Sequence, residues 1–297
     1  MNKEKFKGIF AALLTPFDAN GKVSEKALAS LINYNLKKGI NGFYVNGSTA
    51  ESFIMEDADR ELVYRLCAKY AGGRCTLIAQ VGDMSVAKAK RYAKLCEELG
   101  YDAISSVTPF YFKYSSEQII KYYLSLVDAC GLPMFIYFIP ALAGAVIDDN
   151  VFNTLLSDDR VLGVKYTSND FFTLERLRSK FPDKIFYNGY DEMCLSGLAM
   201  GADGAIGSTY NLMAEKYVRI WNLVKEGKWT DALAIQHRAN DVISALISGV
   251  DVKASLKYAI SELVGIDMGL CLPPQTDVPE SFKKSFGTEF KNEFIRA

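Results

Sequence analysis

The sequence predicts an α/β protein, a TIM (β/α)8 barrel with a C-terminal helical extension, and three observations lead there. Eight short apolar runs recur along the chain, amphipathic helical patterns separate them, and the glycine motifs of nucleotide-binding open sheets are missing. The runs fall at 9–14, 42–45, 76–81, 103–107, 134–139, 161–165, 185–187 and 204–206. Near-continuous apolar runs suit parallel strands covered on both faces, where an alternating pattern would mark half-exposed antiparallel ones. No GxGxxG follows the first run and no GxxxxGK[ST] occurs anywhere, so a closed barrel is preferred to a doubly wound sheet.

The helices between the runs show one apolar face each. Leu28, Leu31, Ile32 and Leu36 mark the first, with Ser24 as its N-cap and Gly39 as its stop. Val86, Ala89, Ala93, Cys96 and Leu99 mark another that ends at Gly100, and Ile119, Ile120, Tyr123, Leu124 and Val127 one that ends at Gly131. Later patterns end at Gly201 and Gly227. Glycine recurs at such stops because it takes the left-handed conformation without a Cβ clash. Beyond Gly227 the strand signal ceases, and 229–246 and 252–264 read as helices packed on the barrel. Residues 1–226 are therefore expected to form the barrel with the active site, and 227–297 the extension.

Composition bounds the function. With 34 basic and 35 acidic side chains the formal net charge is −1, which gives no footprint for nucleic acid or an anionic membrane. Six scattered cysteines form no CxxC pair and read as reduced thiols. The polar start has no signal-peptide core, so a cytoplasmic protein is expected. The uncharged stretch 129–147 has the length of a membrane span, yet Pro133, Pro140 and Gly144 interrupt it, and a buried strand followed by a loop fits better.

A barrel's chemistry collects at the C-terminal ends of its strands. In order, those ends supply Thr15, Ser48 and Thr49, Thr108 to Tyr111, Tyr137, Lys165, Tyr187 to Glu192, and Gly207 with Ser208. Lys165 closes the run Val-Leu-Gly-Val-Lys, where burial would lower its pKa toward the nucleophilic amine. A lone strand-end lysine more often reaches solvent or a carboxylate; the company it keeps here decides for the nucleophile. Tyr137 and Tyr111 are either core residues, of the 17 tyrosines present, or proton relays. Gly47-Ser48-Thr49 is either an ordinary turn or a carboxylate cradle of hydroxyls and N–H groups. Asp191-Glu192 reads as a solvated loop or helix start, or as acceptors for substrate hydroxyls.

Absences narrow the chemistry further. The single histidine, His237, lies in the extension, so neither a His-rich zinc site nor a Ser-His-Asp triad can be assembled. No metal site is expected.

Three segments in order, Gly47-Ser48-Thr49-Ala50-Glu51, Tyr137 to Pro140 and Gly163-Val164-Lys165, resemble the N-acetylneuraminate lyase and dihydrodipicolinate synthase superfamily of pyruvate aldolases. Asn188-Gly189-Tyr190-Asp191-Glu192, 107–111 and 204–211 look most like its sialic-acid-cleaving branch. The synthase branch carries an arginine soon after the fifth strand; here that stretch is Ala141-Leu142-Ala143-Gly144-Ala145. The resemblance implies a homotetrameric barrel acting on a sugar acid and pyruvate, with no cofactor beyond a covalent lysine imine. By the same resemblance Lys165 is the nucleophile and Tyr137 the proton relay. Tyr111 would reach in from a neighbouring subunit. Ser48 and Thr49 would hold the carboxylate, and Thr167, Gly189, Asp191, Glu192, Gly207 and Ser208 the rest of the sugar.

Three positions depart from the family pattern. Ala50 and Asn46 stand where glycine is usual, and Phe138 where asparagine is frequent. Ala50 would disturb the carboxylate loop if that position needs positive φ. The competing expectations are another pyruvate aldolase, a 4-hydroxy-tetrahydrodipicolinate synthase or a keto-deoxy sugar-acid aldolase, and a non-catalytic barrel that only binds such ligands. The last would be expected to lack the lysine or the tyrosine, and both are present.

Overall fold

Eight parallel strands pair in chain order and close, β8 returning to β1, in a computed structural model that describes residues 2–144, 147–249 and 251–286. In order the elements are β1 (Gly8–Ala12), α1 (Glu25–Lys37), β2 (Gly42–Val45), α2 (Asp57–Ala71), β3 (Thr76–Gln80), α3 (Val86–Glu98), β4 (Ala103–Val107), α4 (Ser116–Val127) and β5 (Met134–Phe138). There follow α5 (Pro140–Ala143), α6 (Asp149–Leu156), β6 (Val161–Tyr166), α7 (Phe171–Lys180), β7 (Ile185–Asn188), α8 (Cys194–Ala199), β8 (Gly204–Gly207) and α9 (Tyr210–Lys225). The extension adds α10 (Trp229–Ile247), α11 (Val252–Val264) and α12 (Glu280–Ser285). Met1, Ala145, Val146, Val250 and 287–297 of the predicted segments lie outside the described residues.

The strand period of two sorts side chains into two apolar layers. Ile9 and Ala11 of β1, and Met134 and Ile136 of β5, face outward into the layer shared with the helices. Phe10, Ala12, Phe135 and Tyr137 face inward and fill the barrel with Tyr44, Ile78, Leu162, Tyr187 and Ile206. On β6 a register irregularity opposite Met134 and Phe135 restores the alternation, so Val164 and Tyr166 point out. Lys165 lies in register with Tyr137 on one side and Tyr187 on the other. Pairing thus places Lys165 among inward-facing aromatics. Closure of β8 on β1 needs glycine, since a Cβ at Gly204 (φ +156°) would lie 1.9 Å from the Gly8 carbonyl oxygen.

Helix ends follow the expected chemistry with one exception. Ser24 caps α1 by accepting from the Ala27 N–H, and Gly39, Gly100, Gly201 and Gly227 take positive φ. Gly131 does not end α4. That helix stops at Val127, Asp128 and Ala129 satisfy its last carbonyls, and the Gly131 N–H donates to Glu97. The apolar pattern does not delineate α2 because a charged residue, Arg60, interrupts its buried face. Cys67, Cys75, Cys96, Cys130, Cys194 and Cys271 are free thiols, and His237 is exposed on α10. Among the described residues no helix is long and apolar enough to cross a membrane; the uncharged stretch supplies β5 and α5.

Candidate active site

A cavity of about 590 Å³ opens at the C-terminal ends of the strands. The turn after β2 contributes Ser48 and Thr49, β5 Tyr137, β6 Lys165 with Thr167 beyond it, and the turn after β7 Gly189, Tyr190, Asp191 and Glu192. Ser208 and Thr209 follow β8. Ile139, Leu142 and Ile206 add an apolar part of the wall, and the extension supplies the rest, as Asn240, Ile243, Ser244 and Ile247 of α10 and Val252 and Lys253 of α11.

Lys165 is 4% exposed, with Nζ 4.1 Å from the centroid of the Tyr44 ring and 4.0 Å from that of Tyr137. Burial brings its pKa down to about 7, against the opposing charge of Asp191. An ordinary solvated lysine is neutral roughly once in a few thousand at pH 7. At Lys165 the neutral, nucleophilic amine is a major species. Tyr137 moves the other way: burial raises its phenol to about 12 although the Ser48 hydroxyl favours the phenolate. At neutral pH it is a proton donor held against the lysine.

The two substrate-facing turns are tied to each other and to the extension. Ser48 and Thr49 sit in a 3₁₀ turn, and the Thr49 and Ser208 hydroxyls share a hydrogen bond of 2.6 Å. Asp191 begins a second 3₁₀ turn; one oxygen accepts from both the N–H and the hydroxyl of Thr209, each at 2.7 Å. Burial nevertheless raises its carboxyl to about 6. Gln236 and Asn240 of α10 donate to the carbonyls of Asp191 and Glu192. Thr167 Oγ1 is buried beside the Tyr137 phenol, with no hydrogen bond of good geometry among the described residues. A Cβ at Gly189 would come 1.9 Å from that same oxygen, so glycine is what lets Thr167 stand in the wall.

The structure therefore brings together Ser48, Thr49, Tyr137, Lys165, Thr167, Gly189, Asp191, Glu192 and Ser208. Gly207 is not in the wall; its missing side chain leaves room for Asp191 Oδ1 and the Tyr210 ring. Tyr111 lies outside the cavity, 83% exposed at φ 75°. Of the other strand-end residues, Thr15 and Thr108 are buried away from it, and the Tyr187 hydroxyl turns down to the Phe6 carbonyl. Ala50 does not take positive φ. Asn46 (φ 58°) and Glu51 (φ 64°) do, and asparagine is among the residues that tolerate this best. Asn46 also donates to the Arg60 carbonyl, which gives its side chain a structural use that glycine lacks. Tyr44, Thr209, Asn240 and Lys253 escape sequence reading. Tyr44 could be found from strand alternation; the two from the extension carry no local signal.

Residues 5–293 match the dihydrodipicolinate synthetase family. The N-acetylneuraminate lyase of Pasteurella multocida (strain Pm70) is 38% identical over 296 residues, covering 98% of this chain and 99% of that protein. A catalytic lysine mutant of the Ruminococcus gnavus sialic acid aldolase superposes with a TM-score of 0.96 at 30% identity, over 99% of this chain and 97% of the other. The Fusobacterium nucleatum N-acetylneuraminate lyase complexed with pyruvate gives a TM-score of 0.91 at 37% identity, over 98% of both chains. With the barrel, the strand-end lysine and nearly full-length relatives in agreement, the chain belongs to the dihydrodipicolinate synthetase family.

Proposed function

We propose that this chain is a class I aldolase, a carbon–carbon lyase that cleaves N-acetylneuraminate to N-acetylmannosamine and pyruvate through an imine on Lys165. The observation that carries the reading is the setting of Lys165: a desolvated amine with a pKa of about 7, facing a cavity that Asp191 and Glu192 also line. The names of the relatives point to the same substrate.

The neutral Lys165 amine adds to the C2 ketone of the open-chain sugar acid, and loss of water gives an iminium. Ser48 and Thr49 hold the carboxylate, and Thr167, Asp191, Glu192 and Ser208 hold the polyol and N-acyl end. Tyr137, a protonated phenol at rest, gives its proton to the hydroxyl that departs as water, and its phenolate then takes the proton of the C4 hydroxyl as the C3–C4 bond breaks. Its electron pair flows to the iminium nitrogen, and N-acetylmannosamine leaves as the aldehyde. Protonation of the enamine at C3 and hydrolysis release pyruvate and restore the amine. Low solvent exposure at Lys165 favours this sequence by limiting competing hydration.

No metal or other cofactor enters this scheme, because the iminium is the electron sink; activity undiminished by a chelator is the expected result. We place the enzyme in the cytoplasm as a homotetramer, with residues 1–226 as the catalytic barrel and 227–297 as its extension. Tyr111 and its neighbour Phe112, 83% and 63% exposed, support the oligomer as a rim through which Tyr111 reaches a neighbouring site. The deciding assay is release of pyruvate from N-acetylneuraminate by the purified protein; condensation of pyruvate with other aldehydes, and none with N-acetylmannosamine, would reassign the substrate.

A further inference from the structure

We propose that Glu51 is a positioning residue for the carboxylate-binding turn, fixed by Lys257 of α11, so that the C-terminal extension sets the affinity for the substrate carboxylate. The proposal rests on the reading above in assigning Ser48 and Thr49 to that carboxylate.

Glu51 is the residue that ends the Ser48–Ala50 turn, and it does so in the left-handed conformation (φ 64°, ψ 23°). A non-glycine residue persists there only where its surroundings over-determine it. Here they do. Its Oε1 lies 2.6 Å from Lys257 Nζ, with both side chains at or below 1% exposure, and its Oε2 accepts from the Leu272 N–H at 2.7 Å. Lys257 in turn donates to the Leu270 carbonyl at 3.1 Å and rests 4.2 Å from the centroid of the Phe17 ring. One buried ion pair thereby joins the loop after β1, the turn after β2 and the segment after α11. Its two charges are 206 positions apart in the sequence (257 less 51).

Glu51 does not line the Lys165 cavity, so its influence on substrate passes through the turn. Two atoms on its carboxylate pull in a fixed direction, toward Lys257 and toward the Leu272 N–H. That pull sets how Ser48 and Thr49, two and three residues earlier, face the cavity. A buried pair of this kind could serve stability alone, since loss of one partner strands the other charge. The distinction lies in ligand selectivity. A stability role affects every ligand alike, whereas a positioning role affects ligands that carry the carboxylate.

The test compares borohydride trapping of pyruvate and of pyruvamide, which keeps the ketone and lacks the carboxylate charge, in the full-length protein. Glu51→Gln preserves size and the Leu272 contact. Glu51→Gln/Lys257→Met leaves no stranded charge and serves where the single variant does not fold. We expect either variant to lose at least tenfold in half-saturating pyruvate, with less than a threefold change for pyruvamide and an unchanged maximal trapping rate. Equal losses for both ligands, no loss, or full recovery of pyruvate affinity in the double variant would overturn the proposal. Failure of the unmodified protein to trap pyruvate at Lys165 at all would instead remove the reading on which it rests.

Discussion

The floor and the mouth of the barrel are built from the same strands, two residues apart, and they handle burial in opposite ways. On the floor Phe135 meets Phe6 at 5.6 Å and Tyr187 at 5.3 Å, and polar tips are paired, the Tyr187 hydroxyl donating to the Phe6 carbonyl and the Tyr44 hydroxyl to Ser105 Oγ. Two positions beyond Phe135 on the same inward face stands Tyr137, in register with Lys165 of the next strand. There the buried groups are poorly satisfied or forced toward neutrality: Thr167 Oγ1 has no hydrogen bond of good geometry among the described residues, and the Lys165 and Asp191 pKa values converge on about 7 and about 6. Burial of partnered apolar groups on the floor stabilises the fold; burial of charge at the mouth weakens it and creates reactivity. Site and scaffold should therefore separate by mutation.

Lys165→Met should show the largest effect on chemistry, with cleavage falling at least about a thousandfold while the fold is retained. Stability should rise, since a buried ammonium is replaced by an apolar chain of similar length. The sign with pH follows from the lowered pKa. Unfolded, the amine holds its proton up to about 10.5; folded, it releases it near 7. The lysine's penalty is thus full below pH 7 and vanishes above about 10.5, so the advantage of the methionine variant should be greatest in acid and close toward alkaline pH. Thermal unfolding across that range measures it.

Phe135→Ala is the counterpart on the floor. A fully buried phenylalanine truncated to alanine costs about 3–5 kcal/mol, read by denaturant unfolding, and Lys165 should still be trapped by pyruvate in the protein that remains folded. Loss of imine formation out of proportion to loss of fold would dissolve the distinction between floor and mouth.

Much of this division is legible in the sequence because it depends on strand periodicity. All eight apolar runs become strands within two residues of the expected bounds, and the inward register carries Tyr137 and Lys165 with it. What the sequence hides is tertiary. Asn240 and Lys253 enter the wall from helices far along the chain, and Gln236 steadies the Asp191 turn from outside it. Arg60 looks like a surface residue until its guanidinium is seen with Asp83 and the carbonyls of Gln80 and Gly82, 2% exposed. The residues of the turn do not reveal which position takes positive φ; it falls on Asn46 and Glu51, not on Ala50.

Smaller effects sharpen the mouth. Asp191→Asn should raise KM for N-acetylneuraminate about 10- to 100-fold, the equivalent of a hydrogen bond to a charged group, while pyruvate imine formation changes little. The substitution also removes the carboxylate that holds the Lys165 pKa up, so the acid limb of the imine-formation profile, centred near pH 7, should shift to lower pH. Ala50→Gly, smallest of all, should leave KM within about twofold and cost stability by no more than ~1 kcal/mol, because no positive φ is relieved.

We propose that the barrel isolates one lysine as a nucleophile. Sodium borohydride added with pyruvate at pH 7 to 8 should fix the three-carbon unit irreversibly, and peptide mass spectrometry should find it at Lys165. In Lys165→Ala both the label and pyruvate release from N-acetylneuraminate should disappear while circular dichroism reports an intact fold. Label at another lysine, or cleavage surviving in that variant, would contradict the account.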